Sequence, residues 1–114
     1  MAEPTTAELE QAWKERIQSG KFSSAVISLG TIRVMGRSGD AALQFPRIAS
    51  LDALGTLEPD EQYAVQAAQR IIEQARSEQR VVFDVSPGGG QPTPVTNFQP
   101  DVESLMIVAR VAGG

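Results

Sequence analysis

The segment 60–78 constrains the fold of this chain most strongly, because its apolar residues recur on one side of a helix. Five of them form a single stripe and two more broaden it: Ala64, Ala68, Ile71, Ile72 and Ala75, then Val65 and Ala67. An apolar face of this kind must be covered by another layer of structure. Small alanines let a helix approach that layer closely, so we expect this helix to lie across a β-sheet. Pro59 suits its first turn.

A hairpin of two strands is predicted ahead of this helix. Residues 22–35 are rich in β-branched and apolar side chains, with Gly30 as a bend or bulge, so they form one long kinked strand or two short ones. The turn-forming composition of residues 36–40 leads into the alternating pattern of residues 41–45. Pro46 cannot donate to a ladder of hydrogen bonds, which places the second strand at an edge or ends it there.

The C-terminal part predicts further strands separated by one loop. Residues 80–85 have the composition of a strand, with alternate side chains on one face: Val81, Phe83 and Val85. The run 86–94 contains three glycines and three prolines, which predicts a loop, and no Lys-Ser or Lys-Thr follows to make it a phosphate loop. Residues 95–98 predict a short edge strand. Residues 105–111 are nearly all apolar, so we expect a central strand.

A separate helix is predicted at residues 5–19, because apolar side chains recur every four residues: Leu9, Trp13 and Ile17. Thr5 and Glu8 have the spacing of a capping box, and Gly20 supplies the stop. Trp13 either docks on the core, as most large aromatic residues of a small domain do, or anchors a partner, since tryptophan is enriched at binding hot spots.

The order of these elements predicts an α+β fold. After the first helix come two strands, the long helix and more strands, with an irregular segment at 49–58. This is the order of a β-grasp, in which the last strand pairs in parallel with the first and the helix crosses one face. We therefore expect an N-terminal helical extension at 1–21 and, at 22–114, a β-grasp-like mixed sheet of about four or five strands. Another two-layer α/β sandwich with a different strand order stays open.

The residue types exclude much of enzyme chemistry. The chain has no cysteine and no histidine. It therefore lacks a disulfide, a thiolate nucleophile and the commonest metal ligand and general base, and we expect no metal site and no cofactor. Carboxylates remain, but the three candidates lie in a loop, at a helix start and on a strand: Asp52, Asp60 and Asp84. No spacing brings them together, so an enzyme is not expected.

Charge and hydropathy limit the partners and the compartment. The net charge is −4, and the Lys and Arg residues are scattered, so neither nucleic acid nor a membrane surface is an expected partner. A mildly acidic surface also serves solubility alone. Residues 1–6 have no basic or apolar leader pattern, and no stretch approaches the roughly 20 apolar residues of a membrane span. The sequence therefore predicts a cytoplasmic protein.

The last residues carry a resemblance to a known family. The tail 107–114 ends in a strand-like run followed by Ala112, Gly113 and Gly114. It resembles the ending of ubiquitin-like and sulfur-carrier proteins. The stretch from 39 through the helix at 60–78 to this tail also resembles small prokaryotic proteins with an Ala-Gly-Gly end.

The resemblance implies a non-catalytic carrier or modifier. In such proteins a partner enzyme adenylates the terminal carboxylate, and only glycine leaves the backbone thin enough to thread the channel of that enzyme. Gly114 would present the carboxylate, ending as a thiocarboxylate or as an amide to a lysine, and Gly113 would provide clearance. Ala112 and Trp13 complete the set of residues expected to contact a partner.

Two other interpretations stay open. The glycine pair is also consistent with a loosely ordered chain end. The protein is then a structural or adaptor subunit of a multi-protein assembly, such as a phage particle, docking through the N-terminal helix and the loop at 86–94. The partner is accordingly an activating enzyme or an assembly neighbour, and the sequence does not set the oligomeric state.

Overall fold

A computed structural model of the protein describes residues 3–36, 39–85 and 91–108. Two α-helices, one short 3-10 helix and five strands make up this part of the chain. In chain order they are α1 (Thr6–Ser19), β1 (Ser28–Gly36), β2 (Gly39–Arg47), the 3-10 helix (Leu51–Thr56), α2 (Pro59–Ser77), β3 (Val82–Asp84), β4 (Thr93–Val95) and β5 (Ser104–Ile107).

The N-terminal helix α1 begins and ends where the sequence predicts. The backbone N–H of Glu8 donates to the Thr5 hydroxyl at 3.2 Å, and the backbone N–H of Thr5 donates to the Glu8 carboxylate at 3.3 Å. This reciprocal pair satisfies donors that the first turn leaves without a partner. At the other end Gly20 adopts a φ of 71°, in the left-handed region, and its N–H donates to the Arg16 carbonyl.

The long helix α2 also matches its prediction closely. Pro59 lies in its first turn, and Glu58 and Glu61 form a second capping box. The stripe faces the core as expected, with five fully buried members: Ala64, Val65, Ala68, Ile72 and Ala75. The other two members, Ala67 and Ile71, are half-buried.

The five strands form one mixed sheet in the order β2-β1-β5-β3-β4. The hairpin pair β1 and β2 is antiparallel, and β2 lies at an edge, as Pro46 indicated. The last strand, β5, lies in the middle, parallel to β1 and antiparallel to β3. Of the strand predicted at 105–111, residues 109–111 lie outside the described part of the chain.

The expected bend or bulge at Gly30 is wrong. β1 is a single strand that keeps regular register with β2 through this position, where Gly30 lies opposite Phe45. A Cβ atom on Gly30 would come within 2.4 Å of the Phe45 ring. The glycine therefore provides room for a buried aromatic ring, which is the other reason for a glycine inside a strand. The strand also starts later than predicted, at Ser28, because residues 24–25 form a turn.

The alternation predicted for the third strand is present, and the structure shows which of its two faces is buried. Val82 is the buried residue, while Val81 is 49% exposed. Val82 lies opposite Ile107 of β5, and both side chains point towards α2. Val81, Phe83 and Val85 therefore share a face, as predicted, but it is the face turned away from the helix.

Two shorter segments differ from expectation. The edge strand predicted at 95–98 is β4, at Thr93–Val95, so it includes part of the predicted loop, while residues 86–90 lie outside the described part of the chain. Phe98 leaves the sheet and packs edge-on against Phe45, with ring centroids 5.4 Å apart. The segment 49–58, expected to be irregular, contains the 3-10 helix.

The core lies between α2 and one face of the sheet. Its main cluster joins four strands to the helix: Ile32, Phe45, Ala68, Ile72, Ala75, Val82, Val102, Leu105 and Ile107. A smaller cluster, Ile48, Leu57 and Val65, extends it, and Phe98 contacts both. α1 packs against α2 in the same layer. No helix in the described ranges covers the opposite face of the sheet.

Candidate functional site

Trp13, one of the predicted partner contacts, belongs to the interior. Its side chain is 5% exposed, and its indole N–H donates to the backbone carbonyl of Gln44 at 3.1 Å. The Phe22 ring lies 6.0 Å from it, centroid to centroid. Of the two interpretations that the sequence left open, the structure supports core docking. Trp13 is therefore a poor anchor for a partner, because its ring is already covered.

The other predicted site residues, Ala112, Gly113 and Gly114, lie outside the described part of the chain. Val108, directly after the central strand β5, is the last described residue. Arg80 links the ends of β1 and β5, since its guanidinium donates to the carbonyls of Met35 at 2.7 Å and Val108 at 3.3 Å. The backbone N–H of Val108 also donates to the Val81 carbonyl.

The sheet face turned away from α2 is a candidate surface for recognition. Side chains alternate between the two faces along each strand, and the register aligns neighbouring strands. One row of paired residues therefore lies on this face, from β2 to β4: Ala42, Arg33, Met106, Phe83 and Pro94. Arg33 is exposed, whereas Met106 and Phe83 are half-buried.

A second group on the same side adds exposed apolar surface. Met35 is 39% exposed and Val81 is 49% exposed, at the end of the sheet that Arg80 holds together. We call Arg33, Met35, Val81, Phe83 and Met106 the open face. Large apolar side chains grouped on a surface beside a cation are typical of protein-recognition surfaces.

A partly buried ion pair joins the two helices on the opposite side of the sheet. Nε and Nη2 of Arg16 approach the two oxygens of Asp60 at 2.7 and 3.0 Å, in a bidentate arrangement. Hydrogen bonding to Asp60 raises the pKa of the Arg16 guanidinium. Asp60 is 5% exposed, whereas the Arg16 side chain keeps 25% of its surface exposed, so the pair is only partly shielded from water. Its geometry fixes α1 on the start of α2.

Glu61 is the buried acidic residue that sequence reasoning missed. It is 0% exposed, yet its carboxylate accepts from the backbone N–H and the hydroxyl of Ser23 and from the backbone N–H of Glu58. Arg16 lies 3.9 Å from it. These donors fill its acceptor sites, so Glu61 holds the segment after α1 against α2. The spacing of Glu58 and Glu61, which matches a capping box, was the available signal.

The three carboxylates considered for catalysis stay in separate elements. Asp52 is exposed on the 3-10 helix, Asp84 is half-buried on β3, and Asp60 is bound to Arg16. Across residues 3–36, 39–85 and 91–108, no group of three or more acidic side chains is arranged to hold a metal ion. None of the helices in these ranges combines the length and the apolar character needed to cross a membrane.

Comparisons with known proteins add no assignment to this geometry. No protein-family model matches the chain, and neither the curated proteins nor the solved structures include a significant match.

Proposed function

We propose that this protein is a non-catalytic, ubiquitin-like carrier or modifier with a β-grasp-like domain, which a partner enzyme activates at the C-terminal Gly-Gly. The observation that carries the proposal is the parallel pairing of β5 with β1 in the middle of the sheet, with α2 packed on one face only. Those are the pairing and the packing expected of a β-grasp.

The open face provides the recognition surface in this proposal. Its side chains come from β1, β3 and β5 and from Val81 beside them, so the fold presents them as one rigid patch. Arg33 adds a positive charge that suits an acidic partner surface. A protein partner, not a small substrate, fits a broad surface of this kind.

The glycine pair provides the reactive end in this proposal. The activating enzyme transfers AMP from ATP to the carboxylate of Gly114 and releases pyrophosphate. Sulfide or a lysine amine then attacks the acyl carbon and displaces AMP, which leaves a thiocarboxylate or an amide. Gly113 gives the backbone the clearance to enter the enzyme. The support for this step is the sequence resemblance of the tail.

The test uses the full chain with the activating enzymes of its source organism. ATP–pyrophosphate exchange measures adenylation, and intact-protein mass spectrometry detects the adenylate or the thiocarboxylate. We expect exchange with the wild-type chain and none after deletion of Gly114, while circular dichroism shows the same fold for both. Absence of exchange and of any mass change with every such enzyme would remove the carrier proposal.

A structural or adaptor subunit is the second candidate, and the open face is the observation that favours it. Such a subunit needs a recognition surface and no reactive end. Deletion of Gly114 would then leave assembly unchanged. With Trp13 buried, docking through that ring is no longer part of this candidate.

A further inference from the structure

A groove of about 520 Å³ runs between α1 and α2, on the side of the molecule opposite the open face. Its floor is apolar and comes from both helices and β2: Trp13, Leu43, Ala64 and Ile71. Two cationic side chains, Lys14 from α1 and Arg70 from α2, stand at its sides. The volume lies within the range of about 300 to 1,000 Å³ that is usual for small-molecule sites.

The groove exists because the two helices are held together at one end and have small residues between them further along. Arg16 is bound to Asp60 at the start of α2, and Glu10 accepts a hydrogen bond from Tyr63 one turn further along that helix, at 2.8 Å. Beyond that point Ala67 lines the space between the helices with a single methyl group. The bound ends keep the groove formed without a ligand.

The charges around the groove favour an anion. The lining holds two cations, Lys14 and Arg70, and one carboxylate, that of Glu10, so positive charge is in excess by one. Glu10 accepts from Tyr63, whereas Lys14 and Arg70 form no ion pair with any residue in the described ranges. The guanidinium carbon of Arg70 lies 6.0 Å from the centroid of the Tyr63 ring, and both side chains line the groove. The whole chain has a net charge of −4, so two such cations beside an apolar floor run against its overall charge.

From this arrangement we infer that the groove binds a small amphipathic anion with an apolar body and a carboxylate-like head group. The body lies on Leu43, Ala67 and Ile71, which are half-buried, and excludes water from their apolar surface. The head group lies between Lys14 and Arg70, which donate charge-assisted hydrogen bonds to it. This inference is independent of the proposed carrier function, since it concerns the helical layer and not the sheet or the tail.

The experiment titrates the full chain with decanoate, below the concentration at which decanoate forms micelles. Trp13 is the only tryptophan, so its fluorescence reports directly on the groove. We expect a saturable change in emission. Arg70→Gln and Lys14→Gln should each weaken binding about threefold, and the double variant about tenfold, as for partly exposed ion pairs. Lys21→Gln removes an equal charge from an exposed position outside the groove and should leave binding unchanged.

Two further arms test the head group and the body separately. Decyltrimethylammonium has the same chain with a cationic head and should bind at least tenfold more weakly. Ala67→Leu fills the groove and should abolish binding, with circular dichroism confirming that the variant is folded.

Several results would overturn the inference. One is a linear, non-saturable change in Trp13 emission, and another is equal affinity for decanoate and decyltrimethylammonium. The Arg70→Gln and Lys14→Gln variants do not touch the core. If they bound decanoate with unchanged affinity, the inference would be overturned even if Ala67→Leu failed to fold. Failure of decanoate to bind, with an acidic amphipathic peptide binding in its place, would reassign the groove to a protein partner.

Discussion

Among single residues, Gly30 shows how closely the hairpin is packed. The Phe45 ring, 0% exposed, lies over its backbone, and a Cβ atom there would be 2.4 Å from the ring. We expect Gly30→Ala to lower the free energy of unfolding by about 1–3 kcal/mol, the usual cost of overpacking a core. Urea denaturation followed by circular dichroism measures the change.

The matched control for this substitution is Gly55→Ala, because no atom lies within 4 Å of a Cβ at that position. We expect its effect to stay within about 0.5 kcal/mol. Combining Gly30→Ala with Phe45→Leu should cost less than the sum of the two single changes, since the smaller side chain makes room for the methyl group. Wild-type stability of Gly30→Ala would contradict the close contact.

Tyr63 offers a second measurement on a single residue, because it is the only tyrosine of the chain. Burial first, and then the hydrogen bond to Glu10, raise the pKa of its phenol above the ordinary value of 10.0, while Arg70 lowers it. We expect the absorbance change of the phenolate to have its midpoint above that value. Glu10→Gln should lower the midpoint, and Arg70→Gln should raise it further.

The same shift has a consequence for stability. The folded chain keeps the Tyr63 proton up to a higher pH than the unfolded chain does. The contribution of this residue to the stability of the fold is therefore fully present below its unfolded pKa. Its contribution is then lost as the pH rises through the folded pKa. A midpoint at or below the ordinary value would show that the phenol is neither buried nor bonded to Glu10.

At the scale of elements, the attachment of α1 depends on the bidentate pair of Arg16 and Asp60. We expect Asp60→Asn to destabilise the fold by about 1–3 kcal/mol, since it replaces charge-assisted hydrogen bonds in a largely buried position. The loosened helix should also expose Trp13 and shift its emission to longer wavelength. Asp52→Asn, an equal change at an exposed site, should leave both properties unchanged.

The elements also show which parts of the fold were predictable. The ends of α1 and α2 were predicted closely, because Thr5, Gly20 and Pro59 act on neighbours in sequence. The sequence did not show which face of β3 is buried, because apolar residues occupy both faces of that short run. The pairing of Val82 with Ile107 of β5 decides which side is buried. Local patterns predict elements, whereas distant pairing orients them.

In the candidate site, too, the features that depend on residues distant in sequence were not predicted. Glu61 was missed because the hydroxyl and N–H that satisfy it belong to Ser23, far away in sequence. The open face was not predicted as a unit either, since Arg33, Phe83 and Met106 come from three strands whose order no periodicity specifies. The burial of Trp13 was one of two stated alternatives, and its contact with Gln44 came from the fold.

At the scale of the whole molecule, the sheet separates two surfaces of different character. The open face is apolar with one cation, and the opposite side is a helical layer with a groove between α1 and α2. The central strand β5 contributes Met106 to the first surface and Leu105 and Ile107 to the core beneath the second. The surface proposed for recognition and the groove proposed for a small ligand are therefore separate, so each can be altered by substitution without changing the other.

A substitution on the open face tests recognition apart from activation. Val81→Asp places a charge on the open face at a residue that is 49% exposed, so the stability should change by no more than about 0.5 kcal/mol. Binding to the activating enzyme, measured by calorimetry, should weaken at least tenfold, because a desolvated charge replaces an apolar contact. Leu51→Asp, at 41% exposure on the 3-10 helix, is the matched control and should bind normally.

Comparison with the Gly114 deletion then distinguishes the two candidate functions. For a carrier, the deletion should retain binding and lose adenylation, whereas Val81→Asp should lose both, since the enzyme must hold the domain before it can act on the tail. For an adaptor, Val81→Asp should disrupt assembly with its neighbour and the deletion should change nothing. Normal binding of Val81→Asp in both assays would mean that the partner contacts another surface, and the open face would lose its proposed role.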